Sequence, residues 1–361
     1  MRTIKAAVCH EFGQPLQIEY VQLAPPGPGE VQVDLVACAI CHSDIAFADG
    51  IWDGDLPAVY GHEAAGHVAA VGEGVTGVKI GDPVLATLIR ACGCCAPCAG
   101  GKPVLCNSPS TLSPLKTANG DPLSQGMAIG AFAEAVTVHQ SQVVVIPDSI
   151  PMASASLLAC GVITGVGAVV NAGGLRPGED VVVIGAGGVG LNAIQGARIA
   201  GARRIVAVDL NEDKLDAALD FGATDAVLAS GEAPWSDVKA AIGRGADLVA
   251  VTVGAIPAYN LAPRYLAAGG RIVMVGMPAS EAEASYIPVN FAAVGQGMVG
   301  SKMGDVVLSR DIPWLVDIYG QGRLKLDELV SATYSLDRIN AAIIDAKAGG
   351  ARRNVILFDE G

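Results

Sequence analysis

The chain has 361 residues, enough for two to two and a half domains at roughly 150 residues each, and its 36 Asp and Glu outweigh 23 Lys and Arg to give a net charge of −13. That balance, with a pI near 4.7, argues against nucleic acid or anionic lipid as a partner, since both select Lys/Arg patches. Hydrophobic residues at 51% and charged residues at 16%, against a usual level of about 25%, raise the question of a membrane protein, but aromatics are only 4%. The apolar excess is Ala, Val and Gly, which suits close-packed α/β interiors better than a lipid-facing surface with its Trp/Tyr belts.

In chain order, MRTIKAAVCHEFGQP lacks the apolar run of a secretory signal, so the reading is a cytoplasmic chain in which nine cysteines favour free thiols or metal ligation over disulfides. Residues 1–150 are punctuated by Pro and Gly, with short strands in VQVDLVACAI and HVAAVGEGV. The uncharged stretch Met152–Leu175 is long enough to span a bilayer, but its five glycines and its polar residues argue against that. Beyond Pro151, helical Ala/Gly-rich stretches alternate with the wholly apolar strands VVVIG, RIVAVD, ADLVAVT and GGRIVMVG, the texture of a parallel sheet covered by helices. The last 60 residues end in NVILF, a strand expected to rejoin the first half. The predicted layout is a discontinuous, mainly β domain over 1–161 and 303–361, with a doubly wound α/β domain over 162–302.

Three constellations carry chemistry, and a fourth pair carries a weak signal. Cys92, Cys95, Cys98 and Cys106 have two, two and seven residues between them, so one loop can close a tetrahedron of thiolates around a structural zinc. Cys94 falls out of step, and a thiol redox centre is the competing use of such a loop. CAICHSD and GHE place Cys41 and His62 on neighbouring loops, two of the three ligands of an open catalytic zinc site. Either residue alone is more often simply packed in a core. Cys160, in LLACGVITG where the α/β half begins, is the candidate third ligand, expected at the cleft between domains, with a small buried thiol as its bland alternative. GAGGVG follows the strand VVVI and opens a helix, and Asp209 ends the next strand nineteen residues beyond Gly190. Gly185, Gly187 and Gly190 would let the backbone approach a pyrophosphate, and Asp209 would accept from ribose hydroxyls and repel a 2′-phosphate, favouring NAD over NADP. Arg352 and Arg353 read as solvated charges or as a weak pyrophosphate contact.

With these residues in this order, the chain resembles the zinc-dependent medium-chain alcohol dehydrogenase family along essentially its whole length. The matching segments are CHSD, GHE, the four-cysteine lobe, LACGVITG, GAGGVG, VDLNEDKL and RNVILF. The resemblance implies a GroES-like catalytic domain plus a Rossmann domain, and two zinc ions, a catalytic one on Cys41, His62 and Cys160 and a structural one on the lobe. It makes Glu63 an occasional ligand of the catalytic zinc, Asp44 the carboxylate that orients His62, and Ser43 the hydroxyl that takes the substrate proton. His42 and Arg353 would meet the pyrophosphate and Thr164 the nicotinamide. Gly188, Val189, Lys214, Val275 and Met277 complete the implied cofactor contacts. Ile51, Trp52, Leu88 and again Met277 resemble pocket-lining residues.

The implied reaction is reversible oxidation of a primary alcohol, aromatic or of medium chain, to its aldehyde, with hydride passing to NAD. The metal's use would be to depress the alcohol's pKa. A homodimer or homotetramer acting on a small alcohol or aldehyde is expected, with no membrane partner. Two departures stand out. Ala46 occupies the place of a proton-relay histidine of the liver-type enzymes, which leaves exit through the ribose hydroxyl and water, or through His42 or another group. The 107–131 loop is shorter than in those enzymes. A glutathione-adduct-dependent formaldehyde dehydrogenase is the nearest enzymatic alternative, and an NAD-binding structural or sensor protein is the alternative outside enzymes.

Overall fold

The computed structural model describes residues 1–109, 113–350 and 352–358, so part of the 107–131 loop lies outside the described residues. The chain divides into two compact units, one of 1–160, 307–322 and 326–361, and one of 161–306 with 323–325.

The first unit is mainly β. A five-stranded sheet has Arg2–Cys9 at its centre, flanked by Gln17–Leu23 and Ala58–Val59. The second sheet runs in the order Val143–Val145, Pro83–Thr87, Glu63–Val71, Glu30–Ala39, Arg353–Leu357 and Val330–Ser335, with Ala135–His139 also on Glu30–Ala39. Val, Ile and Leu from both sheets, including Ile4, Val21, Val33, Val68 and Ile356, bury together with Phe132 as one core. The C-terminal strand does return to the first half: Val355 pairs with Ala39, antiparallel.

Register in the second sheet is what later builds a site. Ala39 faces Glu63 and Glu63 faces Thr87, while Val355 faces Ala39. The end of Glu30–Ala39, the start of Glu63–Val71, the end of Pro83–Thr87 and the start of Arg353–Leu357 therefore share one edge of the sheet. In antiparallel pairs the strand that finishes meets the strand that begins.

The second unit is a six-stranded, wholly parallel sheet in the order Asp225–Leu228, Arg204–Asp209, Asp180–Ile184, Ala246–Val251, Leu266–Met274, Gly297–Gly300. Val181, Val182, Val183, Val206, Val208, Val249 and Val251 are all at most 1% exposed, as strands covered on both faces require. The order reverses beside Asp180–Ile184, the topological switch point where doubly wound sheets bind ligands at their strands' carboxyl ends.

Met152–Ala172 is long and apolar enough to cross a membrane, and 83% of its most apolar window is buried. It is α-helical in Met152–Leu157 and Ile163–Gly167 and widens to π-turns at Leu158–Val162 and Ala168–Ala172. Two of the glycines that looked wrong for a bilayer are packing positions: a Cβ on Gly165 would strike Asn192 and Ala193, and one on Gly167 would strike Gly304.

Candidate functional site

Cys41 follows the strand Glu30–Ala39 and caps the helix His42–Ala48, in which Asp44 is the third residue. The Asp44 carboxylate is 1% exposed and accepts three hydrogen bonds at 2.9 Å, from the Cys41 amide on Oδ2 and from the Gly61 amide and His62 Nδ1 on Oδ1. One side chain thus fixes both loops to each other. Gly61 has φ +92°, and a Cβ there would strike Phe132, so the chain can reach His62 by this path only with glycine.

Because Nδ1 donates to Asp44, Nε2 is the ring nitrogen left for the cluster, buried beside the Cys41 thiol. Cys160 arrives from the π-turn Leu158–Val162, a device often found at functional sites. Thr87, at the sheet edge, donates to the Ala159 carbonyl at 2.6 Å and pins that turn in place. The outcome is four buried groups, Cys41, His62, Glu63 and Cys160, whose ligand atoms lie within 4.8 Å of one another.

The electrostatics ask for a cation. Cys160 donates to Cys41, which pulls the Cys41 thiol well below its ordinary range, and the same hydrogen bond together with burial raises Cys160. Burial by itself would lower His62, but the Asp44 charge and hydrogen bond outweigh it and raise the imidazole. Burial pushes the Glu63 carboxyl up to about 8 against the pull of Arg353, and neither Glu63 oxygen makes a hydrogen bond among the described residues. A buried carboxylate without such bonds is costly unless charge compensates it. Two thiols, one imidazole nitrogen and a flanking carboxylate are a donor set suited to zinc, whereas Mg²⁺ and Ca²⁺ prefer all-oxygen cages. An amide at position 44 would turn one of its two acceptor oxygens into a donor aimed at an N–H. Asp44→Asn is therefore expected to weaken metal binding by about 10–100-fold in a chelator competition.

Arg353 is 5% exposed, with Nη2 3.6 Å from Glu63 Oε1 and Nη1 donating to the Ile40 carbonyl at 3.4 Å. Its neighbours here are therefore the metal-centre residues. His42 is exposed and Ser43 half-buried on the same short helix, and Ala46 is buried. Trp52 packs edge-on against Phe47, with centroids 5.2 Å apart, and Phe47 stacks on Tyr60. Sequence reading missed this aromatic series. Three of only sixteen aromatics within fourteen residues was the available signal. Leu88 is half-buried and Ile51 is exposed.

In the lobe, Cys92, Cys95, Cys98 and Cys106 also lie with their sulfurs within 4.8 Å of one another. Cys95 and Cys106 Sγ are 3.9 Å apart, close to the edge of about 3.8 Å that a tetrahedron with 2.3 Å zinc–sulfur bonds requires. Amides of Cys94 and Cys95 directed at Cys92 lower its thiol to about 5, and the Cys95 amide stands 3.3 Å from that sulfur. Backbone donors that favour thiolate in this way suit metal ligation.

In the second unit, Gly185 (φ +97°) ends the first strand of the parallel sheet and Gly187 caps the helix Gly188–Ile199 without any side-chain cap. The first-turn amides of Gly188, Val189 and Gly190 are thus left for a ligand. A Cβ on Gly187 would meet nothing, whereas one on Gly190 would run into the Gly185 carbonyl, so the turn is tight on its inside and open on its outside. Asp209 accepts from the Ala186 amide at 2.7 Å and the Asn211 amide at 3.1 Å, tying the second strand to the glycine turn. Lys214 is half-buried on the helix Glu212–Asp220, its amide on the Asn211 cap. The Val275 amide donates to the Val251 carbonyl at the neighbouring strand end, and Met277 is 65% exposed.

Thr164 is 9% exposed, and its hydroxyl donates to Met303 Sδ at 3.7 Å. Met303, Gly304 and Asp305 hold φ of +51°, +69° and +50°, a run that sequence reading did not foresee. It lets the Gly304 carbonyl accept from Asn171 at 3.1 Å.

A GroES-like β unit carrying a buried cluster of two thiols, an imidazole and a carboxylate, together with a Rossmann unit carrying a glycine turn, defines a medium-chain oxidoreductase. The family model for the alcohol dehydrogenase GroES-like domain matches residues 27–148, and that for the zinc-binding dehydrogenase matches 188–320. A Mycobacterium tuberculosis protein provisionally named alcohol dehydrogenase D is 37% identical over 98% of this chain and 99% of its own. An NDMA-dependent alcohol dehydrogenase of Amycolatopsis methanolica is 36% identical over 98% of both chains. The crystal structure of benzyl alcohol dehydrogenase from Acinetobacter calcoaceticus is similar at TM-score 0.93 and 29% identity, covering 99% of this chain and all of that one. The chain belongs to the zinc-dependent medium-chain alcohol dehydrogenase family.

Proposed function

We propose that the protein catalyses the reversible, NAD-linked oxidation of a primary alcohol, aromatic or of medium chain, to its aldehyde. Cys41, His62 and Cys160 would hold a catalytic zinc, and Cys92, Cys95, Cys98 and Cys106 a structural one. The observation that carries the reading is the buried cluster of Cys41, His62, Glu63 and Cys160, whose ligand atoms lie within 4.8 Å of one another. When bound, zinc supplies a Lewis acid that depresses an alcohol's pKa and the nicotinamide supplies the hydride acceptor.

The chain's own residues do the rest. Asp44 accepts from His62 Nδ1 and so orients the imidazole with Nε2 left for the cluster, where a metal would displace the proton that the raised imidazole holds. Arg353 offsets part of the burial cost of Glu63, whose carboxyl would become a reserve ligand once a metal favours its charged form. Ser43, only half-buried beside Cys41, takes the alcohol proton and passes it outward, since Ala46 has no group to receive it. Phe47 and Tyr60 brace Trp52, which gives an apolar wall suited to an aromatic ring. The benzyl alcohol dehydrogenase similarity supports the same substrate class.

The glycine turn takes the pyrophosphate on the first-turn amides, and Asp209 takes the ribose hydroxyls. Asp209→Gly is expected to shift the NAD/NADP ratio of kcat/KM toward NADP by at least about tenfold, and an unchanged ratio contradicts this role for the carboxylate. The test of the whole reading is an absorbance screen that follows both nicotinamide reduction and NDMA consumption over benzylic, aliphatic and glutathione-adduct substrates, with NAD, NADP and NDMA. Turnover of benzylic alcohols with NAD is expected. Because a 36% identical relative is NDMA-dependent, turnover only in the presence of NDMA would favour a second reading in which that acceptor is required. No turnover with any alcohol would overturn both.

A further inference from the structure

The lobe holds five cysteines between residues 92 and 106, and Cys94 is the one outside the set of four. Gly93, between Cys92 and Cys94, holds φ +77°, a left-handed conformation that favours glycine. Cys94 Sγ stands 3.7 Å from Cys92 Sγ. Cys94 is exposed, whereas the other four are half-buried.

We propose that Cys94 is an oxidation site for peroxides, at which a Cys92–Cys94 disulfide forms and the lobe gives up its metal. The proposal rests on the reading of Cys92, Cys95, Cys98 and Cys106 as a zinc site. Hydrogen peroxide transfers one oxygen to the Cys94 thiol, giving a sulfenic acid and water. Cys92 thiolate then attacks that sulfur; the sulfur–oxygen bond breaks, and the oxygen leaves as a second water with the Cys94 proton and one from solvent. Two thiols lose two electrons and peroxide gains them. The sulfurs would close from 3.7 Å to the disulfide length of about 2.05 Å. Three ligands remain, which is one short of the closed tetrahedron of a structural zinc. The Cys95–Cys106 contact at 3.9 Å lies within the set of four, where both sulfurs would be engaged by metal, so Cys92–Cys94 is the pair with an exposed entry point.

The experiment uses the zinc-loaded full chain, hydrogen peroxide, a chromogenic chelator to follow zinc release, and peptide mapping of residues 92–106. Wild type is expected to release the lobe zinc, with a disulfide mapped to Cys92–Cys94 and reversal by dithiothreitol plus zinc. Cys94→Ser should start with the same zinc content and release the lobe zinc at least about tenfold more slowly. Equal release rates, or a disulfide between other cysteines, would overturn the proposal while the zinc lobe stands. A lobe that holds no zinc before oxidant would overturn the site reading itself, and zinc lost from Cys94→Ser beforehand would make Cys94 a ligand and overturn both.

Discussion

Cys160→Ser is expected to lower alcohol-dependent reduction of the nicotinamide by about 10³-fold or more, because the metal's stabilisation of developing negative charge is worth several kcal/mol and serine is a poor zinc ligand. The side chain is 5% exposed and the exchange is close to isosteric, so the fold should persist, which the thermal midpoint checks. Nucleotide affinity, measured by fluorescence titration, should change less than about threefold, since the glycine turn belongs to the other unit. Retained turnover would remove Cys160 from the ligand set and return it to the bland reading of a buried thiol.

The second large effect falls on the nucleotide turn. Gly190→Val places a branched side chain where even a Cβ meets the Gly185 carbonyl, and backbone cannot yield as the end of a flexible side chain does. Overpacking of this kind costs about 3 kcal/mol, and the turn must open to relieve it. NAD affinity should fall at least about 100-fold, with the metal content of the first unit unchanged. A variant that binds NAD normally would show that the cofactor does not use this turn.

Much of the architecture was legible because its signals are local. Wholly apolar Val runs separated by helical stretches give a parallel sheet, and the strand–glycine–helix–acid series places Gly185, Gly187, Gly190 and Asp209 in one neighbourhood without knowledge of any distant contact. The four lobe cysteines are likewise close in sequence, so their convergence needed only a short loop. Cys41, His62 and Cys160 were nameable from motifs, but the reason they meet was not. That reason is the register of four strands and the Thr87–Ala159 bond, which join residues far apart in the chain. Arg353 shows the same limit. As a sequence it is one of two adjacent arginines, and only the pairing of Val355 with Ala39 sets it beside Glu63. The left-handed Met303–Asp305 turn had a single glycine to announce it, because what holds it is the close approach of Gly167 and Asn171 from a distant segment.

The central claim is that the chain carries two metal centres of different kinds, and metal analysis by mass spectrometry tests it most directly. Wild type should hold about two zinc ions per chain, one for each four-residue cluster. Cys160→Ser and Cys98→Ser should each hold about one, with only the former keeping its lobe zinc under a mild chelator. A wild-type chain with one zinc, or with none, would contradict the account.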